Sequence, residues 1–147
     1  MTSDEIIAVL PYSDPFLFVD ELQEISETKI TGTYTFKTDA HFYEGHFKDH
    51  PVTPGVILTE CMAQIGVVCM GICIHRTKSS DTSQMVGLVS TEIQFFKPVL
   101  PGETVTVVSE RVYFRFGKLK CNVKCIDEVG VVVASGSISG MTLKKEQ

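Results

Sequence analysis

The sequence places two residues with acid/base chemistry close together. His46 lies between Gly45 and Phe47 in a loop rich in glycine, histidine and proline, and Glu60 follows among apolar residues of a helical segment. A carboxyl group in apolar surroundings must be hydrogen-bonded, paired or protonated, and an imidazole exchanges protons near neutral pH. Gly55 adds the backbone N–H groups of a helix start, which can stabilise negative charge on a carbonyl oxygen. The three groups together suit proton abstraction next to a thioester carbonyl.

Each of these residues also has a simpler interpretation. A loop histidine is commonly a surface or hydrogen-bonding residue, and Glu60 could lie at the exposed edge of its helix. A metal site is a third interpretation, and its ligands would be His41, His46, His50, Glu44 and Asp49. That set has neither a histidine pair at helical i, i+4 spacing nor a supporting cysteine, so the spacing disfavours a metal. The residues alone do not decide between the acid/base pair and these alternatives.

The element that must position Glu60 is a long apolar helix, predicted from Pro54 to about His75. Thr53 is the candidate N-cap, with Pro54 at the first helical position. The segment is long enough to cross a bilayer, which makes a membrane helix an alternative. Glu60 and Gln64 would be costly in lipid, however, and the chain has no second segment of this kind. A helix that is apolar on nearly every face is otherwise a helix buried inside a protein.

The remaining elements are predicted to be mostly strands. A Thr2-x-x-Glu5 capping box predicts a short N-terminal helix that ends at Pro11. The predicted strands cover residues 16–27, 29–37, 85–97, 103–116, 118–125 and 131–143. Two apolar phases within residues 103–116 predict a β-bulge near Val107. The sum is an α+β fold in which consecutive, mostly antiparallel strands enclose one long helix.

Composition fits one globular domain spanning residues 1–147. The 147 residues are 44% hydrophobic and 21% charged, and a chain of this length can fold without disulfides or metals. The net charge of -5 argues against a dedicated nucleic-acid binder, since such proteins are usually basic. No secretory signal is readable at the N-terminus, so the cytosol is the expected compartment. Five cysteines, three of them in the helix, suit reduced core thiols better than a disulfide framework.

The loop and the helix start carry a longer pattern than these local rules use. The run is Tyr43-Glu-Gly-His-Phe-Lys-Asp-His-Pro-Val-Thr-Pro-Gly-Val-Ile-Leu-Thr-Glu-Cys-Met-Ala-Gln64. Upstream stands Leu10-Pro-Tyr-Ser-Asp-Pro-Phe-Leu-Phe-Val-Asp20, and downstream stand Val86-Gly87 and Phe96-Lys-Pro-Val-Leu-Pro-Gly102. Over about residues 10–140 the sequence resembles the hotdog-fold (3R)-hydroxyacyl-[acyl-carrier-protein] dehydratases of the FabZ type.

The resemblance implies a fold and a set of site residues. His46 and Glu60 would be the catalytic residues. The substrate would be contacted by Gly55, Gln64, Phe47 and Val56. The N–H of Gly55 would polarise the thioester carbonyl, and Gln64 would orient Glu60. Glutamate rather than aspartate at that position favours plain dehydration over double-bond migration. The implied fold is a hotdog, an antiparallel sheet wrapped around the central helix, paired into a homodimer or larger homo-oligomer with sites at the subunit interface.

The resemblance also implies a partner, an acidic acyl carrier protein that presents the acyl chain on a phosphopantetheine arm. The reaction would serve fatty-acid or related acyl or polyene biosynthesis without a metal or other cofactor, and no nucleic acid or membrane is expected. Local positive charge would receive the carrier, and the candidate residues are Lys97, Arg115, Lys118 and Lys120. A solvated strand face is the alternative interpretation of these cations.

Two other functions are compatible with the same residues. A hotdog thioesterase would use the same thioester and helix-end N–H, and a non-catalytic acyl-binding subunit would not need His46 or Glu60. The chain also departs from the family, because Tyr12 and Ser13 stand where His-Arg is common and Phe96 replaces a frequent basic residue. We expect these positions to affect carrier docking and the acyl tunnel rather than the chemistry.

Overall fold

The computed structural model describes residues 1–78 and 85–143, in which an antiparallel sheet surrounds a long helix. The helices are α1 (Ser3–Ala8), α2 (Gly55–Ala63) and α3 (Cys69–Lys78). The strands are β1 (Glu21–Ile25), β2 (Lys29–Thr35), β3 (Met85–Phe95), β4 (Thr104–Arg115), β5 (Lys118–Ile126) and β6 (Val132–Leu143). The predicted α+β arrangement is therefore confirmed. Residues 144–147, at the end of the sequence, lie outside the described residues.

The long helix is the core of the fold. A π-helical segment, Gln64–Val68, joins α2 to α3 without a break, and we call α2, this segment and α3 together the central helix. The helix Gly55–Arg76 is long and apolar enough to cross a membrane, but 78% of its apolar 18-residue stretch is buried inside the protein. The apolar side chains are therefore covered by the sheet, as expected for a core helix.

The start of the central helix differs from its prediction. Pro54 is the N-cap and Gly55 is the first helical residue, so the assignment of Thr53 as N-cap was wrong. The Thr53 hydroxyl instead shares a hydrogen bond with the Tyr43 hydroxyl, with the two oxygens 2.6 Å apart. By contrast, Thr2 caps α1 as predicted, since its hydroxyl accepts the Glu5 N–H.

The first strand also begins later than predicted. Residues 16–20 precede β1, and the backbone of Phe16 and Phe18 bonds to the central helix rather than to a neighbouring strand. The Phe18 N–H donates to Gln64 Oε1 at 2.8 Å, and the Phe16 carbonyl accepts from Gln64 Nε2 at 3.0 Å. A buried amide side chain therefore satisfies backbone groups that a strand would otherwise pair.

The sheet has the strand order β1-β2-β4-β5-β6-β3, with every neighbouring pair antiparallel. Strand β5 shows the predicted alternation, and its buried residues are Leu119, Cys121, Val123 and Cys125. All five cysteines are free and buried, which confirms the prediction of reduced core thiols.

The β-bulge in β4 lies farther along the strand than predicted. The register against β5 shifts between Arg111 and Tyr113, not near Val107. The inward phase of the strand continues through the buried Ser109, whose hydroxyl donates to the Gly66 carbonyl at 2.8 Å. Because a polar residue occupies an inward position, the change of apolar phase in the sequence did not mark the bulge.

Strand β3 forms one edge of the sheet and is eleven residues long. Its exposed apolar side chains are Leu88, Val89 and Phe95, and Phe96 follows directly after the strand. A long edge strand presents backbone N–H and C=O groups that can pair with another strand. The β3 edge therefore combines backbone groups available for pairing with exposed apolar side chains.

Candidate active site

His46 is held in the loop that follows the short 3₁₀ turn His41–Glu44. Its Nδ1 lies 3.0 Å from the Val52 carbonyl oxygen, and the Val52 N–H donates to the His46 carbonyl at 2.9 Å. A carbonyl oxygen can only accept, so Nδ1 carries the proton and the lone pair is on Nε2. The Phe47 ring stacks on the imidazole with the ring centroids 4.3 Å apart. These contacts orient the imidazole with Nε2 as the basic atom.

His46 and Gly55 line the same pocket, which has a volume of about 390 Å³. Its other walls are Val52, Thr53, Leu58, Phe95, Phe96, Lys97, Pro98 and Val99. Gly55 begins the central helix, so the pocket lies at the positive end of the helix dipole, where backbone N–H groups lack acceptors within the helix. A Cβ on Gly55 would lie only 3.2 Å from Phe95 Cζ. The Phe95 ring therefore packs directly on the helix start and forms an apolar wall beside the N–H donors.

Glu60 is held by Gln64, which lies one turn later in the central helix. Gln64 Nε2 donates to Glu60 Oε1 at 3.0 Å. The same amide is fixed from the other side by the backbone of Phe16 and Phe18, and Gln64 is fully buried. Because both ends of the amide are bonded, it can present only an N–H to Glu60. The carboxylate is consequently held in one orientation.

His46 and Glu60 face different sides of the chain. Residues 55 and 60 are five apart, which corresponds to a rotation of about 140° around a helix. Gly55 and Leu58 line the pocket with His46, whereas the described walls of that pocket do not include Glu60. The Glu60 carboxylate is instead on the side of Gln64. One chain therefore presents the imidazole and the carboxylate on separate surfaces.

The other two predicted substrate contacts are also on the surface of the single chain. Phe47 is 60% exposed and Val56 is 77% exposed, although Phe47 still covers one face of the His46 ring. Neither lines the pocket that holds His46 and Gly55. Of the four residues predicted to contact substrate, the structure therefore brings only Gly55 into this pocket.

Sequence reasoning missed the pair that supports the His46 loop. Tyr43 and Thr53 are both buried, and their hydroxyls share the 2.6 Å hydrogen bond that joins the beginning of the loop to its end. The Thr53 N–H also donates to the Val99 carbonyl at 2.8 Å. Thr53 directly follows Val52, whose carbonyl orients His46. The only signal in the sequence was a tyrosine and a threonine at the two ends of one loop.

Tyr12 lies closer to Glu60 than the sequence indicated. Its ring packs on the core near Phe16, and the pKa of its phenol is raised to about 12 by burial and, next, by the negative charge of Glu60. The phenol is therefore neutral at physiological pH and keeps its proton for donation. Residue 12 was expected to affect docking and the tunnel, but it shares the electrostatic environment of Glu60.

The predicted docking cations lie in two different places. Lys97 is on the wall of the His46 pocket, and its Nζ lies 2.5 Å from Asp127 Oδ2, whose side chain is 3% exposed. That ion pair and the backbone N–H groups of Val129 and Val131 lower the pKa of Asp127. The charge of Lys97 is therefore already balanced within the chain.

Arg115 and Lys118 stand instead at the tip of the β4–β5 hairpin. The Gly117 carbonyl in this tip accepts from the Thr142 N–H, and the Thr142 hydroxyl bonds to His75 near the end of α3. Gly55 is at the opposite end of the central helix, about 30 Å away at 1.5 Å per residue. In a single chain, Arg115 and Lys118 are consequently far from the His46 pocket.

The loop histidines and acids do not assemble into a metal site. Within residues 1–78 and 85–143, no three His, Cys, Asp or Glu side chains come together in the way that metal ligands do. His46 is half-buried, whereas the exposed residues of the proposed ligand set are His41, Glu44, Asp49 and His50. The side chains of the proposed ligand set therefore do not form a cluster of three ligands.

Comparison with known proteins identifies the family. Residues 10–133 match the family model described as the FabA-like domain. The 3-hydroxyacyl-[acyl-carrier-protein] dehydratase FabZ of Clostridium perfringens (strain SM101 / Type A) is 32% identical, over 94% of this chain and 96% of the relative.

Solved structures show the same fold. The dehydratase heterocomplex ApeI:P from Xenorhabdus doucetiae matches with a TM-score of 0.75, at 16% identity over 95% of this chain and 91% of that one. A mutant thioesterase from Pseudomonas aeruginosa matches with a TM-score of 0.70, at 12% identity over 97% and 94% of the two chains. The fold is therefore the predicted hotdog, which dehydratases and thioesterases share. The chain belongs to the FabA-like family, among the FabZ-type 3-hydroxyacyl-[acyl-carrier-protein] dehydratases of the hotdog superfamily.

Proposed function

We propose that this chain catalyses the reversible dehydration of (3R)-3-hydroxyacyl thioesters carried by an acyl carrier protein, giving the trans-2-enoyl thioester and water. The observation that carries this proposal is the His46 imidazole, fixed through Nδ1 on the Val52 carbonyl, in one pocket with the helix start at Gly55. A basic nitrogen and N–H donors on one pocket suit removal of a proton next to a carbonyl.

The proposed reaction moves two protons. His46 Nε2 takes the proton from C2, and the N–H of Gly55 stabilises the negative charge that develops on the thioester oxygen. The double bond forms between C2 and C3 as the C3–O bond breaks, and Glu60 donates its proton to the departing hydroxyl. Water leaves, and transfer of a proton from His46 to Glu60 restores the starting states. Gln64 holds the Glu60 carboxyl group throughout, since its amide is fixed on the backbone of residues 16–18.

The site requires a second copy of the chain in this proposal. His46 and Glu60 lie on different sides of one chain, and the long apolar edge of β3 is next to the His46 pocket because Phe95 is part of both. Pairing of two β3 edges around a two-fold axis would cover this edge and bring Glu60 of one subunit to His46 of the other. A homodimer, or a larger homo-oligomer built from it, is therefore the proposed active form.

The proposed partner is an acidic acyl carrier protein in the cytosol. Reduced, buried cysteines agree with a reducing compartment. Arg115 and Lys118 are better placed than Lys97 to attract an acidic surface, because Asp127 already balances Lys97. They are remote from His46 of their own chain, so in a shared site they would serve the partner's His46.

Hydration of a panel of trans-2-enoyl carrier-protein substrates tests the proposed function. Ultraviolet absorbance of the enoyl thioester should fall as water adds, and no free thiol should appear. We expect His46→Ala and Glu60→Gln each to lower the rate by about 10²-fold or more, the usual contribution of a general acid or base, with the fold intact. His50→Ala is the matched control, since it removes an exposed imidazole from the same loop. Release of free thiol as the absorbance falls would indicate a thioesterase, because hydrolysis also destroys the enoyl thioester. Full activity in both variants would place the chemistry elsewhere.

A further inference from the structure

The tip of the β4–β5 hairpin has a residue that its turn geometry disfavours. Arg115 pairs with Lys118, so Phe116 and Gly117 form a two-residue loop, with φ angles of 52° and 76°. Positive φ at both positions is typical of the turns that prefer Asn-Gly, because asparagine and glycine tolerate the left-handed region. Phenylalanine in that region is uncommon and strained. The turn would therefore be more stable with asparagine at residue 116.

Phe116 also contributes nothing to the packing of its own chain. Its side chain is 94% exposed, more than any other large hydrophobic side chain described in residues 1–78 and 85–143. A bulky apolar residue that is both strained and exposed has no explanation in the stability of the folded chain. Its exposure and strain point instead to a contact with another molecule.

The surroundings of Phe116 define the chemistry of that contact. The Arg115 guanidinium lies 4.4 Å from the centre of the Tyr113 ring, and the Lys118 ammonium lies 5.9 Å from the same ring. Residues 111–120 contain four cations and no acid, in a chain whose net charge is -5. The hairpin tip is therefore a local positive surface with an apolar residue at its centre. In protein interfaces, a few central aromatic residues and arginines commonly contribute most of the binding energy.

We propose that Phe116 is the apolar anchor of the carrier-protein interface, inserting into an apolar notch between carboxylates that Arg115 and Lys118 bind. This inference rests on the proposed function, since the acyl carrier is the acidic partner which that function requires. Charge complementarity favours an acidic protein as the occupant. The overall negative charge of the chain opposes a nucleic acid or an anionic membrane, whose charge extends well beyond one hairpin.

The test uses Phe116→Asn, whose expected effects on stability and on docking have opposite signs. The variant should unfold at a higher temperature than the wild type, because asparagine suits the turn. Its KM for enoyl carrier protein should rise by about tenfold or more, the usual effect of removing an interface anchor. Its rate on the corresponding enoyl pantetheine, which has no protein to dock, should be unchanged. Val129→Asn is the matched control, since it removes a 79% exposed apolar side chain from the β5–β6 turn, and its KM should stay at the wild-type value.

Three outcomes would overturn the proposal. An unchanged KM for enoyl carrier protein in Phe116→Asn would mean that the ring does not contact the carrier. An equal loss on carrier and pantetheine substrates would mean that the ring acts on the site itself. Binding to phosphatidylglycerol vesicles that Phe116→Asn abolishes, without a change in carrier binding, would assign the tip to lipid. Calorimetric titration with the carrier measures docking without turnover. If the wild type were inactive, the proposed function would be contradicted, but the effect of Phe116→Asn on carrier binding would still test the docking proposal.

Discussion

Tyr43 and Thr53 control the position of His46 through a short chain of contacts. Their buried hydroxyls bond at 2.6 Å, Thr53 is covalently joined to Val52, and the Val52 carbonyl bonds to His46 Nδ1 at 3.0 Å. The sequence does not predict this hydrogen bond, because a buried tyrosine and a buried threonine are equally compatible with ordinary core packing. The contact depends on how the loop closes, which local residue types do not determine.

We therefore expect Tyr43→Phe to lower kcat by about tenfold to a hundredfold, the effect of misplacing a catalytic group by about 1 Å, with little change in KM. The substitution removes one hydroxyl and leaves the Thr53 hydroxyl without its buried partner. Steady-state kinetics with enoyl carrier protein measure the split between kcat and KM. Tyr34→Phe is the control, since it makes the same change at a buried tyrosine of β2. Equal kinetic effects in the two variants would show that only general core stability is involved.

Asp127 connects one wall of the pocket to the β5–β6 turn, and its contribution depends on pH. Lys97 and the backbone N–H groups of Val129 and Val131 lower its pKa in the folded state below the ordinary value of 3.8. A carboxyl group whose pKa is lower in the folded state stabilises that state when the pH is above the pKa of the unfolded state. This stabilisation is lost as the pH falls through the pKa of the folded state.

We expect wild-type protein to be more stable than Asp127→Asn at neutral pH, with the difference shrinking in acid. Denaturant unfolding of both proteins from pH 7 to below the ordinary aspartate value would measure this convergence. Asp14→Asn is the control, because Asp14 forms an exposed ion pair with Lys37 and should show little difference at any pH. A constant difference between wild type and Asp127→Asn across the pH range would contradict the linkage.

At the scale of elements, periodicity in the sequence predicted the fold more closely than it predicted local interruptions. The alternation of apolar and polar residues in β5 predicted a strand with one buried face, and the long apolar segment predicted a buried helix. Both are observed. The π-helical segment and the β4 bulge were missed or misplaced, because both depend on contacts between elements. Gly66 lies in the π-helical segment, and its carbonyl accepts from Ser109 of β4. No local pattern reports a hydrogen bond that spans helix and sheet.

Gly66→Ala should therefore destabilise the protein by about 1–3 kcal/mol, the usual effect of overpacking a core. The added Cβ would lie 2.9 Å from Val123 Cγ1 and 3.0 Å from Ser109 Cβ, so helix and sheet would have to separate. Thermal or denaturant unfolding measures the change. Gly45→Ala is the control, since a Cβ there meets nothing within 4 Å. Equal stability of Gly66→Ala and wild type would mean that the central helix moves away from the sheet without cost.

At the scale of the whole molecule, the sequence identified the catalytic candidates but not how they meet. Residue types and spacing indicated an acid/base pair, His46 and Glu60, but left a surface role or a metal site as alternatives. The resemblance to the FabZ type assigned the catalytic roles. The structure then separates His46 and Glu60 onto different sides of one chain, since Gly55 and Glu60 differ by about 140° around the central helix. Two groups that are close in the sequence thus lie on different sides of one chain, and in the proposed function a second subunit brings them together.

Exchange of inactive subunits tests this arrangement directly. We expect His46→Ala and Glu60→Ala dimers each to be inactive, and a mixed dimer to have one site with both groups intact and one with neither. If exchange is random and pairing is two-fold, half the dimers are mixed and half their sites work, so about a quarter of wild-type activity should return. Activity is measured with enoyl carrier protein after mass spectrometry has verified exchange. In the control, His46→Ala chains are mixed with chains that carry both substitutions, and no site can then regain a histidine. No recovery in the first mixture, despite verified exchange, would show that each chain builds its own site.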